Sequence, residues 1–151
     1  MGGENEFKEN SQAVQAHLSI TQSVIQRMAA NSTSCKAWCI TLVSAILVIV
    51  ADKGRPQYAL IAIIPTILFL ALDTYYLSLE KMFRHSYNSF IEKLHSGKVV
   101  AADLYAVSPS GHTLKTLYSS LRSFSIWPFY LSLLVMIWLV KAIVIVSMPN
   151  K

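Results

Sequence analysis

Charge is scarce in this sequence: of 151 residues, 14% are Asp, Glu, Lys or Arg, while 54% are hydrophobic. That balance excludes an ordinary water-soluble globule, which carries about a quarter of its residues as charges. Cysteine is almost absent. With Cys35 and Cys39 as the only two, and with His17, His85, His95 and His112 at no ligand spacing from them, no disulfide framework and no metal site are expected. Cysteines on a membrane helix ordinarily pack as small apolar residues.

The signatures of catalysis are missing as well. There is no Walker A loop, dinucleotide fingerprint, HExxH or paired-carboxylate arrangement. Arg84-His85 lacks any supporting motif, and Ser110-Gly111-His112 has no nucleophile elbow around it. The chain is therefore expected to be no enzyme and to hold no cofactor. Its formal charge of +5 comes from scattered basic residues without interleaved aromatics, which suits contact with anionic lipid and not with nucleic acid. The first 35 residues are polar and carry Glu4, Glu6 and Glu9, so no cleaved signal peptide is expected, and Glu6 stands where a myristoylation motif needs Ser or Thr.

Three apolar stretches are present: residues 37–51, 58–79 and 123–148. The second, at 1.5 Å per residue, would be about 33 Å long, enough to cross a bilayer's hydrocarbon core. The first has too few uncharged residues between Lys36 and Asp52 and must borrow residues 31–35 or snorkel Lys36 to the interface. The expected fold is an all-α integral membrane protein with three transmembrane helices and amphipathic cytoplasmic helices. Residues 1–36 form a cytoplasmic N-terminal amphipathic helix, with residues 31–34 as either a break or the polar start of the first span. Residues 37–79 form a transmembrane hairpin with spans at about 34–51 and 58–79, turned by Asp52-Lys53-Gly54-Arg55-Pro56. One helix is expected over 58–94, kinked at Pro65. Residues 80–122 form a cytoplasmic helical segment with Ser96-Gly97 as a cap, irregular chain over 98–112 and a short helix from Thr113. A third transmembrane helix over 123–148 and a tail at 149–151 complete the chain.

Lys and Arg counts in the flanks place the N-terminus and the long loop in the cytoplasm and the C-terminus outside, in a multi-pass membrane protein. Lys36, Trp127 and Lys141 are expected as membrane-interface anchors. Val14, Leu18, Val24, Ile25 and Met28 recur at helical spacing, with His17 and Arg27 on the opposite, polar face, and their stripe suits packing on protein better than on lipid. Phe83, Tyr87, Phe90 and Leu94 form a second stripe, expected as an oligomer or partner face. Asp73 lies inside an apolar run, where an acid is costly unless paired, protonated or hydrated. It is expected either to serve gating or interhelical coupling or simply to pair with Lys36 or Arg122.

Ala30-Asn31-Ser32, Lys36-Ala37-Trp38 and Thr41-Leu42-Val43, together with residues 71–77 (ALDTYYL) running into Glu80-Lys81-Met82-Phe83-Arg84, resemble small bacterial membrane proteins associated with antiphage defence. The organisation is similar to SLATT-type effector domains over residues 11–94, and this chain adds a third span. The resemblance implies a membrane-permeabilising effector or pore subunit of the bacterial inner (plasma) membrane, acting as a homo-oligomer in membrane lipid and triggered by a soluble sensor or effector protein. Two other readings fit the same residues: a non-catalytic membrane scaffold that recruits a soluble partner, or an ion-channel or transporter component unrelated to defence.

Overall fold

A computed structural model describes residues 11–147, which are helices and connections with no strand among them. The expectations at Met1, Glu4, Glu6, Glu9, Met148 and the 149–151 tail lie outside the described residues. Helix α1 spans Gln12–Lys53 and α2 spans Ile63–His95; a 3-10 segment, Pro56–Ala62, joins them. Helix α3 (Thr113–Leu121) and helix α4 (Trp127–Ser147) follow. Three of these helices are long and apolar enough to cross a membrane.

Of the two alternatives for residues 31–34, a break or the polar start of the first span, α1 takes no break there. It contains neither Gly nor Pro. Its polar residues at that point also have local uses that leave the backbone helical: Thr33 Oγ1 donates back to the Ala29 carbonyl at 3.1 Å, and Ser32 Oγ donates across to Asp73. The N-terminal amphipathic helix and the first span are thus one element, and the boundary expected at residue 36 falls inside it. Ser11 caps its start by accepting from Val14 N–H. Gly54, at φ 59°, ends it in the left-handed conformation, with Arg55 N–H donating to the Val50 carbonyl at 3.4 Å.

Pro65 lies close to the start of α2. It occupies the third residue of α2, in the first turn, where a helix has no inner partner for the missing N–H. The chain before it winds as a 3-10 helix, so the proline coincides with a change of helix type. The expected cap after the extension is present. Gly97, at φ 67°, lets Gly97 N–H reach the Leu94 carbonyl and Lys98 N–H reach that of Lys93, at 3.1 and 3.0 Å.

Helices α1 and α2 pack antiparallel along most of their lengths, and α4 lies against α1, α2 and the 3-10 segment. The buried face of α1 recurs at intervals of three, four or seven residues, from Val14 through His17, Thr21, Met28, Ser32, Cys35, Cys39, Val43 and Leu47 to Val50. Among the apolar spans the core combines small residues (Cys39, Ala59, Ala62) with Val43, Leu47, Tyr130, Leu133 and Ile137. Small side chains at these positions let the helix backbones approach closely. Near the other end, Val14, Phe90 and Leu104 form a separate core.

Candidate functional site

The site grows from the meeting of α1 and α2 at Asp73. Ser32 and Lys36 lie four residues apart, hence one above the other on the same face of α1, and that face is turned to α2. Lys36 Nζ stands 2.6 Å from Asp73 Oδ2 and 3.3 Å from Ser32 Oγ, while Ser32 Oγ donates to Asp73 Oδ1. Asp73 has no solvent exposure, and the Lys36 side chain retains 20%. From α1, Oδ1 thus receives a hydrogen bond, while Oδ2 has the ammonium at ion-pair distance and no hydrogen bond of good geometry. The hydroxyl of Tyr130 on α4 is buried within electrostatic reach of Asp73, without a hydrogen bond of good geometry of its own. Cys35 and Cys39, one turn apart and both buried, complete the surroundings.

Of the two expected partners for Asp73, Lys36 is the one that reaches it. Arg122 instead lies over the Tyr118 ring, 5.8 Å from its centroid. This also corrects the expectation that Lys36 snorkels to the interface as an anchor. A carboxylate facing it on the next helix gives the ammonium a closer partner than headgroups or water, so the flexible stem turns inward. Trp127 begins α4 and is about half exposed, and Lys141 is half-buried late in the same helix.

The stripe Phe83, Tyr87, Phe90 and Leu94 is largely occupied within the chain. Phe90 packs against the His17 ring with centroids 4.2 Å apart, Tyr87 Oη accepts from Gln22 Nε2 at 3.1 Å, and Leu94 joins the core around Val14; Phe83 is half-buried. The two amphipathic stripes expected to seek partners are partners of each other. His17, expected on the polar face of α1, is 5% exposed, a correction with a clear cause. Its Nδ1 accepts the Tyr105 N–H at 3.0 Å, so burial leaves that nitrogen satisfied.

That bond belongs to a strap, residues 98–112, which sequence reasoning left without a partner. Lys93 Nζ donates to Asp103 Oδ1 at 2.7 Å, Val100 N–H donates to Asp103 Oδ2 at 3.1 Å, and Ser86 Oγ donates to the Ser108 carbonyl at 2.7 Å. A cavity of about 260 Å³ lies beneath the strap, with His17, His85, Ser86, Lys93 and Asp103 in its wall. Burial lowers the His17 pKa from 6.5, opposed by the Asp103 charge. The Lys93 and Val100 hydrogen bonds hold the Asp103 carboxyl below its usual value. Spacing from Val14 to His17 to Thr21 is the one signal that places His17 on the buried stripe.

No group of three His, Cys, Asp or Glu side chains converges among the described residues. No family model, curated protein or solved structure matches the chain.

Proposed function

We propose that the chain is a non-catalytic subunit of the bacterial inner membrane that assembles with copies of itself and permeabilises the membrane when a partner signals, as in antiphage defence. One observation carries this reading. The Lys36–Asp73 pair is a buried ion pair at the point where α1 passes from its polar to its apolar half. A charged pair at that depth is costly to keep, and its two members belong to different helices, so relative movement of α1 and α2 separates them and exposes charge. The cytoplasmic half of α1 is continuous with the span, which gives a signal received there a direct route to the pair. Positive residues in the flanks favour the N-terminus in the cytoplasm and the C-terminus outside.

The test is membrane potential, read with a voltage-sensitive dye in bacteria expressing the full chain alone and then with its genomic neighbours. Depolarisation is expected in at least one setting, and Asp73→Asn is expected to depolarise without neighbours or to abolish the response. An intact potential in both settings, with the protein shown to be inserted, would shift the reading to a scaffold. An Asp73→Asn variant that inserts and acts like the wild type would remove Asp73 from the mechanism.

A further inference from the structure

The sequence has no Asp or Glu after Asp103, yet Lys115, Arg122, Lys141 and Lys151 all fall in that stretch. Helix α3 sits there and packs against α2. Between the two helices runs an apolar groove of about 400 Å³, with Leu70, Ala71 and Thr74 in one wall and Leu117, Tyr118 and Leu121 in the other. The α2 wall belongs to the apolar run of the second candidate span, so the medium that meets this groove in a membrane is hydrocarbon. Leu114, at 82% exposure, and Phe124, at 89%, continue the apolar surface on the α3 side. An amphipathic helix with such side chains exposed beside a span suits the interfacial plane of a bilayer.

Charge at the groove selects the headgroup. Lys115, Tyr118 and Arg122 are three and four residues apart and share one edge of α3 and its cap. Tyr118 belongs to the groove wall and also holds Arg122 there: Arg122 Nη1 donates to Tyr118 Oη at 3.4 Å. From α2, Lys81 Nζ reaches the Ser119 carbonyl at 3.4 Å. The neighbouring acid on α2, Glu80, is paired with Arg84 at 2.8 Å. We propose that the groove between α2 and α3 binds one acyl chain of an anionic phospholipid, with the lipid phosphate held by Lys115 and Arg122. Apolar contact supplies retention, and the two cations supply the choice of headgroup.

Native mass spectrometry of the full chain, taken from detergent containing equal amounts of phosphatidylglycerol and phosphatidylcholine with matched acyl chains, tests this directly. The wild type is expected to retain phosphatidylglycerol with a preference on the order of tenfold. Substituting Lys115→Gln and Arg122→Gln together is expected to bring the ratio near one while lipid is still retained. Ala71→Phe fills the groove and is expected to remove both lipids. Equal retention by the wild type, or an unchanged preference after the double substitution, would overturn the proposal. Lys115 and Arg122 are exposed, so that double variant remains decisive even where Ala71→Phe impairs folding.

Discussion

Lys36 and Asp73 are unequal members of their pair. Asp73 is wholly enclosed, whereas Lys36 keeps 20% of its side chain exposed and has a flexible stem that can carry its charge outward. Lys36→Met is therefore expected to cost on the order of 3 kcal/mol, because it strands a buried carboxylate, and Asp73→Leu is expected to cost less. The double variant should recover most of the loss. Unfolding by SDS titration from mixed micelles measures all three, and single losses that simply add in the double variant would refute the coupling. His17 poses a different question at the same scale. Its ring faces Asp103, Lys93 and His85 around the cavity and accepts from Tyr105 N–H. A protonated ring carries N–H at both nitrogens and cannot accept that bond. Because the folded pKa lies below 6.5, the unfolded strap binds the proton more readily. The His17 contribution is complete above 6.5 and is lost as pH falls through the lower folded value. Asp103, held below 3.8, persists to more acid conditions, so the His17 loss comes first. Amide-exchange protection at Tyr105 should fall between about pH 7.5 and about pH 5, and His17→Phe should show low protection at both.

Among the elements, those that announce themselves do so by uniform chemistry. The apolar runs, the Gly-Pro turn after Lys53, the cap at Ser96-Gly97 and the helix beginning at Thr113 are all legible before any coordinates. Helix α1 is different. Its buried stripe begins with Val14, continues through His17 and Thr21, and reaches Ser32 and Cys35 before becoming apolar. Counting hydrophobic residues loses the stripe where half of its members are polar or small, and residues 31–34 then resemble a break. Pairing with α2 sets aside that local preference. The strap is illegible for another reason. Its partners are side chains distant in sequence, His17 being 88 residues from Tyr105, and no periodicity encodes such a bond. Asp73 stood out because an acid in an apolar run is visible in any register, and Lys36 was visible as one of its two candidate partners.

For the molecule as a whole, the alternation of helices constrains topology. Helices α1 and α2 are antiparallel and α4 returns beside them, so the Gly54 turn and the far end of α4 share one side and residues 95–122 share the other. With the N-terminal side cytoplasmic, Arg55→Cys should react with a membrane-impermeant maleimide in intact cells, and Lys98→Cys only after permeabilisation. Cys35 and Cys39, at 6% and 0% exposure, should contribute little background. The reverse pattern would invert the topology. The unbroken α1 has a mechanical consequence besides. Its 42 residues make a rod about 63 Å long, with the Lys36–Asp73 pair roughly 36 Å from the Gln12 end and roughly 26 Å from the Lys53 end. Were the proposed signal to tilt α1 as one rod about that pair, it would act as a lever with its long arm among the polar residues. A sideways push of a few ångströms on the tip of that arm would then reach the far tip reduced only to about seven-tenths, and in the opposite direction.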